Sequence, residues 1–465
     1  MKQEKFEREL KVLINYIRAY GIQHINYSGN MQEIIQKEDK NREFTQKVHK
    51  GFELAQRNVI FLLKNIINER KRMKADLKIY RQNKDKKRSL AVSGTINELK
   101  YQEMVLRKII DSIAWQLFNF DLSTLRRFYY GQELIDITDS NLDSELRYAK
   151  NCINKNPDGF VLISDLTSFI QIGDVITFIP GKGLSIGELK EGEVNGKVFN
   201  LMKESMESME SMESMESMES MEVMCPYYLN SRLNNEGEKF KEQFLRDIKQ
   251  LKRNMDVLKV INEGEGTDLL TGKDIKISQE TLELNDFSDI VNNLLKECDK
   301  KGYAISVIED CLLVGVYKTG AFPSEIFDSW AKSLNIKMPI MDLRQAFFDP
   351  LAYPLYLHPF SDSFLLDIIL GRKIIKMTID IDKWLDTFKQ KQCTYRWMSI
   401  KETARLNSEF KGKLKIFSID GKGIELQNST GLTSVIVEGI FSRMFTALNL
   451  PSSVRELLVK ILLDS

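Results

Sequence analysis

Two acidic residues and a lysine lie close together around one apolar hairpin. Asp174 begins the segment DVITFIPGKGLSIGELK, which ends in the triplet Glu188-Leu189-Lys190. The same triplet also occurs at 9–11, within a helical stretch, so the triplet alone indicates no chemistry. The later copy differs because it closes an apolar strand, in which alternate side chains share a face. The two charged ends of this triplet are therefore predicted to point to the same side of a sheet.

The turn between the two strands predicts how the carboxylates are paired. Residues 180–183, Pro-Gly-Lys-Gly, have the turn chemistry of a hairpin. If the hairpin is symmetric about Gly181, Asp174 is opposite Glu188, and directly opposed Cβ atoms are about 4.5–5.5 Å apart. Two carboxylates at that spacing can share one divalent cation. The alternative is structural: Asp174 caps a strand end, and Glu188 forms an edge ion pair with Lys190.

This pattern resembles the PD-(D/E)xK nucleases, the restriction-endonuclease-like superfamily, over residues 139–318. The order of elements in that family is αβββαβ. The segments that would supply it here are helix 141–155, strands 160–166, 172–179 and 184–190, helix 236–261 and a strand within 303–318. Gly173 stands where the family motif has Pro. An insert between the third strand and the second helix also departs from the compact family core.

The resemblance implies a role for each motif residue. Asp174 and Glu188 would hold Mg²⁺ or Mn²⁺, with the Leu189 carbonyl as a further ligand, and Lys190 would orient or deprotonate the attacking water. Family members often place a Glu on the first helix, for which Glu145 is the candidate. RecB-like members add a Gln on the helix after the motif, which Gln243 or Gln250 would match, but the Tyr that follows it there has no counterpart here.

A second feature with chemical meaning is a basic run. The segment 70–88, RKRMKADLKIYRQNKDKKR, contains ten Lys or Arg and two Asp, a local charge of +8. Clustered cations release DNA counterions when they bind phosphates, so the run is a candidate nucleic-acid surface, with Lys84, Lys86, Lys87 and Arg88 as contacts. The alternative is a solvated helix end that leads into a loop.

Composition excludes several classes of protein. The chain has 465 residues, 67 basic and 66 acidic side chains, and 43% hydrophobic residues, which is typical of a multidomain globular protein without a bulk charge bias. Its five cysteines are scattered without a CxxC pair, and three histidines lie far apart, so a zinc site or a Ser-His-Asp triad is not expected. No run approaches the roughly 20 apolar residues of a membrane helix. We expect a cytoplasmic protein with reduced thiols.

The expected fold is a multidomain α/β protein of mixed α+β type. A helical domain is predicted at 1–138, the nuclease-like core at 139–320 and a C-terminal α/β domain at 321–465. Six Glu-Ser-Met triplets occupy 204–221. Their period of three does not match the 3.6 residues of a helical turn, so they form no lasting apolar face and are expected to be a mobile insert.

The function expected from the resemblance is Mg²⁺-dependent endonucleolytic cleavage of DNA, in restriction or antiphage defence. The expected partners are DNA and either a further protein or a second copy of the chain, with no membrane. The competing hypothesis is a non-catalytic scaffold with a degenerate nuclease fold, which binds nucleic acid or protein.

Overall fold

The computed structural model describes residues 3–24, 38–132, 137, 142–189, 238–268, 272, 274–277, 284–320, 325–409 and 415–464. Lys190 and the Glu-Ser-Met repeat at 204–221 lie outside the described residues.

The N-terminal region is helical, as predicted. Helices α1 (Gln3–Arg18) and α2 (Tyr20–Gln23) pack on a long helical hairpin formed by α3 (Glu38–Gln82) and α4 (Lys86–Leu117). Apolar residues at three- and four-residue steps along α3 and α4 are buried between the helices, because that spacing keeps them on one face. The turn between the helices is short, and the Asp85 carboxylate caps α4 by accepting from the Arg88 backbone N–H.

The distal part of this helical hairpin projects from the rest of the protein. Arg70 and Ile96 are buried, but no side chain from 71 to 95 is buried. We call residues 71–95 the arm. With a rise of 1.5 Å per residue, its α3 half extends about 18 Å beyond Arg70. The predicted basic run therefore lies at the end of a projecting hairpin.

A three-stranded antiparallel meander follows. After α5 (Leu122–Leu125) and a 3-10 turn (Arg126–Phe128), α6 spans Leu142–Lys155 and packs on β1. The strands pair in the order β1-β2-β3, and their bounds are β1 Phe160–Ile163, β2 Val175–Ile179 and β3 Gly183–Gly187. Helix α7 (Glu238–Glu263) then contacts β3, and a small hairpin of β4 (Glu265–Thr267) and β5 (Asp274–Lys276) comes after it.

Strands form within 303–318, as predicted, but in a different sheet. After α8 (Ser288–Lys301), strands β6 (Tyr303–Ile308) and β7 (Leu312–Lys318) form a hairpin in a separate four-stranded sheet, with the order β6-β7-β9-β8. The last strand of the predicted αβββαβ order is therefore present but does not join the three-stranded meander. Residues 312–317 of β7 are all buried, and the strand is paired on both sides, with β6 and β9. The outer edge of β1 is occupied instead by the Gln56 side chain, which bonds Val161 O and Ile163 N.

The C-terminal region completes that sheet and adds a smaller one. The elements of the region are α9 (Glu325–Ser333), β8 (Met341–Asp342), α10 (Leu343–Ala346), α11 (Asp362–Ile369), β9 (Lys373–Ile379), α12 (Ile381–Asp386), β10 (Thr394–Trp397), α13 (Ile400–Glu409), β11 (Ser418–Ile419), β12 (Lys422–Gln427), β13 (Thr433–Val435), α14 (Glu438–Phe441), α15 (Arg443–Thr446) and α16 (Pro451–Asp464). The structure is thus of mixed α/β class, with a helical N-terminal region and several small sheets, as expected. The β7–β9 pairing crosses the boundary predicted at residue 320.

A buried polar cluster joins all three regions. The Lys108 Nζ atom lies 3.0 Å from Asp111 Oδ2 on α4, and both side chains are 1% exposed. Asp111 also accepts from the backbone N–H and the hydroxyl of Ser168, in the loop after β1. Lys108 donates to the Asp349 carbonyl at 2.7 Å. The buried charges of Lys108 and Asp111 are therefore stabilised by groups from the loop after β1 and from the C-terminal region.

Replacing Lys108 by Met should destabilise the fold strongly. The change leaves the Asp111 carboxylate buried without its counter-charge, which costs about 3–5 kcal/mol. Lys108→Met/Asp111→Leu should lose less than Lys108→Met alone, because neither charge then remains in the interior. Urea unfolding followed by circular dichroism measures both changes. As a control, Lys389→Met breaks the exposed Lys389–Asp386 pair and should leave the midpoint unchanged. Equal midpoints for Lys108→Met and this control would contradict the assigned role.

Candidate functional site

The hairpin of β2 and β3 has the register predicted from its turn. Val175 pairs with Gly187 and Ile179 with Gly183, so the register is centred on residue 181. The pairing ends at Val175 and Gly187, and Asp174 and Glu188 are the next residues at the open end of the hairpin. The Asp174 N–H donates to Gly187 O and its carbonyl accepts from Ser164 N–H, both at 2.9 Å. The backbone of Asp174 is therefore held from both sides at the open end of the hairpin.

Gly173 is required by the geometry just before this carboxylate. Its φ is +68°, and a Cβ atom there would lie 2.4 Å from Ile186 Cγ2. A proline is confined to φ near −65° and cannot adopt this conformation. The departure from the family motif at Gly173 thus has a local structural reason, which is the sharp entry of the chain into β2.

The Asp174 carboxylate binds the end of the neighbouring strand. Its Oδ2 atom accepts from the Leu189 N–H at 2.5 Å. This contact involves the amide of Leu189 and was not predicted, since the resemblance assigned a role only to the Leu189 carbonyl. This bond is the strand-end cap of the competing structural hypothesis, and it also fixes the direction in which the chain leaves Glu188.

Helix α7 presents a polar stripe to the hairpin. The half-buried Glu188 accepts from the buried Asn254 amide at 3.4 Å. Asn254 shares one helical face with Gln243, Asp247 and Gln250, because the four positions are separated by four, three and four residues. Asp247 is also buried, and it accepts from the Gln243 amide at 2.9 Å. The sequence had indicated Gln243 and Gln250 but not the two buried members, which the same spacing would have found.

Helix α6 borders the hairpin on another side. Glu145, the candidate on this helix, is buried at 3% exposure. Tyr148 lies one turn later on the same face, and its hydroxyl is 3.8 Å from the position that a Gly187 Cβ would occupy. The face of α6 that carries Glu145 therefore adjoins the end of β3.

The structure thus brings together Asp174, Glu188 and Leu189 between α6 and α7, while Lys190 lies outside the described residues. Within the described ranges, no three His, Cys, Asp or Glu side chains form a group that could hold a metal ion. Mg²⁺ is often held by only one or two carboxylates, because it keeps several waters. The carboxylates of Asp174 and Glu188 therefore fit Mg²⁺ by their chemistry.

Comparison with protein-family models, with curated proteins and with solved structures finds no match. No described helix is long and apolar enough to cross a membrane.

The arm is the second candidate surface. Lys84, Lys86, Lys87 and Arg88 are all exposed at its tip. Arg88 lies 3.5 Å from the Asp85 carboxylate, and its guanidinium is 5.7 Å from the centre of the Tyr80 ring. The three lysines are therefore more accessible to a phosphate than Arg88 is. Five arm residues also line a depression of about 500 Å³ on α3: Lys74, Leu77, Lys78, Arg81 and Gln82.

An ion pair relates the base of the arm to α6. Lys64 Nζ lies 2.5 Å from Asp143 in the first turn of α6, two residues before Glu145. Hydrogen bonding to Lys64 lowers the pKa of the Asp143 carboxyl. Since Arg70 is six residues beyond Lys64, the arm leaves the body of the protein about 9 Å from this contact along α3.

Replacing Gly173 by Ala should destabilise the protein more than replacing Gly181 by Ala. Both glycines have positive φ, of +68° and +78°, so either change carries a strain of about 1–2 kcal/mol. No atom lies within 4 Å of a Cβ at Gly181, whereas Gly173→Ala also collides with Ile186. We expect at least about 1 kcal/mol of additional loss for Gly173→Ala in urea unfolding. In an Ile186→Ala background the two losses in unfolding free energy should differ by less, because the atom with which the new Cβ collides is then absent. Equal losses in the wild-type background would show that the collision is relieved without cost.

Proposed function

We propose that this protein is a metal-dependent nuclease of the PD-(D/E)xK type that cleaves DNA. The observation that supports the proposal is the hairpin of β2 and β3, whose open end carries both Asp174 and Glu188 between α6 and α7. Carboxylates that lie close together repel each other unless a cation or protons neutralise them. A site for a divalent cation accounts for both acids at the end of an apolar hairpin.

In this proposal each residue has a separate task. Asp174 and Glu188 hold the cation, while Asn254 orients the Glu188 carboxylate through its amide. When bound, Mg²⁺ polarises a phosphoryl oxygen and lowers the pKa of water. Lys190, two residues after Glu188 in the sequence, positions the attacking water near the phosphate. Glu145 supports the site from α6.

In this proposal the arm binds the DNA substrate. Its exposed cations bind the phosphates of the DNA backbone, a contact that does not depend on base sequence. The Lys64–Asp143 pair supports this arrangement, because it connects the base of the arm to the helix that carries Glu145. DNA held by the arm then lies on the α6 side of the hairpin.

A non-catalytic nucleic-acid-binding scaffold is the second candidate. The bond from the Leu189 N–H to Asp174 favours it, since a strand-end cap explains this aspartate without a metal. Under this hypothesis the arm binds DNA and the hairpin performs no chemistry. Both hypotheses therefore assign DNA binding to the arm, but only the nuclease hypothesis assigns chemistry to the hairpin.

Substitutions at the hairpin separate the two candidates. Asp174→Ala and Glu188→Ala should each abolish Mg²⁺ binding and cleavage together, because each removes a metal ligand. Lys190→Ala should retain metal and DNA binding but lose turnover, because it acts mainly on the transition state. Plasmid cleavage with Mg²⁺, Mn²⁺ or EDTA measures activity, and titration calorimetry measures metal binding.

The matched control is Glu9→Ala, which changes the same Glu-Leu-Lys triplet on α1 and should leave cleavage unchanged. Cleavage that survives EDTA, or full activity in Lys190→Ala, would contradict the nuclease proposal. DNA binding without any Mg²⁺ binding by the wild-type protein would favour the scaffold.

Replacing Lys84, Lys86, Lys87 and Arg88 together by Ser should weaken DNA binding equally for all sequences. At about 0.9 per lost phosphate contact, the slope of log affinity against log salt should fall by up to about 3.6. Fluorescence anisotropy over a salt series measures the slope. A control with four exposed lysines outside the arm replaced by Ser, at Lys296, Lys332, Lys401 and Lys422, should keep the wild-type slope. If the arm variant also keeps it, the arm does not bind phosphates.

A further inference from the structure

Two arginines meet where the N-terminal region contacts the C-terminal region. Arg126 begins the 3-10 turn after α5, and Arg443 begins α15. Within the described part of the chain, neither guanidinium forms an ion pair or a hydrogen bond. A guanidinium carries only donors, so each side chain presents a fork of N–H groups without an acceptor. We call these two residues the arginine pair.

A glycine makes room for the first of these side chains. A Cβ atom at Gly439 would overlap the Nη2 atom of Arg126. Gly439 lies in helix α14 and its φ is outside the left-handed range, so the backbone there does not require a glycine. The absence of a side chain is needed for space instead, because it lets the guanidinium lie directly against the helix.

The second arginine follows this glycine by one helical turn. The Ser442 N–H donates to the Glu438 carbonyl at 2.8 Å, so the chain stays helical where α14 joins α15. Residues four positions apart lie on the same helical face, which places Arg443 beside Gly439. The guanidinium of Arg126 therefore lies on the face that carries Arg443, and the two positive charges repel each other.

The surroundings of the arginine pair disfavour its two charges. Both side chains are half-buried. Burial lowers the pKa of Arg126 and of Arg443, and the charges of Arg127 and Arg443 add to the decrease at Arg126. A charge that is removed from water is normally balanced by a hydrogen-bonded partner of opposite sign. An anion between the two guanidiniums would supply that partner to both.

The acidic groups whose charges act on the arginine pair are bonded elsewhere. The Asp121 carboxylate caps the N-terminus of α5. Asp268 lies 2.7 Å from a nitrogen of Arg127, and Asp349 accepts from the Leu351 N–H at 3.0 Å. These three charges reduce the repulsion, but none of the three carboxylates forms an ion pair with either guanidinium of the pair. The donors that face each other thus remain available to a ligand.

We propose that Arg126 and Arg443 bind a phosphate dianion, either free or as the terminal group of a larger molecule. Guanidinium forks match phosphate oxygens in bidentate geometry, and two positive charges balance a dianion, whereas a carboxylate balances only one. The side chains are half-buried and not sealed, so a phosphate can reach them from solvent. This site uses neither the acids of the hairpin nor the arm, so it is independent of the nuclease proposal.

The first experiment measures binding. Titration calorimetry of the full chain with inorganic phosphate should show saturable binding with a Kd of about 1 mM or lower. Arg126→Gln and Arg443→Gln should each raise this Kd at least about tenfold, because each removes charge-assisted hydrogen bonds. Arg8→Gln, which changes an exposed arginine on α1, is the matched control and should keep the wild-type Kd. Absence of saturable binding, or an unchanged Kd in either variant of the pair, would overturn the proposal.

The second experiment separates binding from a structural role. Without phosphate, Arg126→Gln should melt no lower than the wild type, because it removes an unpaired charge. About 10 mM phosphate should then raise the Tm of the wild type more than that of the variant. Gly439→Ala should weaken phosphate binding but keep the Tm, since it displaces only the flexible end of Arg126. A Tm several degrees lower in phosphate-free Arg126→Gln would contradict the proposal and assign the residue to packing.

The third experiment identifies the source of the phosphate, in the arm variant with Ser at 84 and 86–88. This variant should bind inorganic phosphate as tightly as the wild type, and a loss of binding would place the phosphate on the arm instead. Displacement of phosphate by a dinucleotide with a 5′-phosphate, but not by its 5′-hydroxyl form, would support a terminal phosphate of a nucleic acid. Displacement by neither would support free phosphate. Equal displacement by both would overturn the assignment to a dianion, because the 5′-hydroxyl form contains only a diester.

Discussion

The need to neutralise two charges in a dry interior constrains the whole molecule. Lys108 and Asp111 are both almost fully buried, and an ion taken out of water costs several kcal/mol unless partners replace its hydration. Those partners are Ser168, from the loop that precedes the hairpin strand β2, and the Asp349 carbonyl, from the C-terminal region. The position of helix α4 is therefore stabilised by groups from both other regions. The helix that carries half of the arm and the loop that precedes β2 thus share one buried polar cluster.

What could be predicted from the sequence was mostly local. The register of the β2–β3 hairpin follows from a short turn and the alternation of side chains, and the structure confirms it. The long N-terminal helices follow from their apolar spacing. The partner of β7 did not follow, because β9 lies about 60 residues further along the chain and both strands are apolar. Periodicity shows that such a strand is buried, but it does not show which strand lies beside it.

In the candidate site, too, local features could be predicted from the sequence, whereas contacts between separate segments could not. Asp174 and Glu188 could be assigned to the open end of the hairpin by counting from Gly181, but the bond from the Leu189 N–H to Asp174 depends on how the chain leaves β3. Asn254 and Asp247 were not predicted, although the polar residues of α7 recur at three- and four-residue steps. Gly173 could be recognised as a departure from a motif, but its reason is a contact with Ile186 on the neighbouring strand.

The arm also separates charge within a nearly neutral chain. Nine cations and two acids give residues 71–95 a charge of +7, and the whole chain carries +1, so all other residues together carry −6, which equals the charge of the six glutamates of the Glu-Ser-Met repeat. At low ionic strength the arm of one molecule is attracted to these glutamates of another, and added salt screens that attraction over a Debye length of about 10 Å at 0.1 M. The solubility of this protein should therefore increase with the first additions of salt, although its net charge alone suggests a nearly neutral molecule.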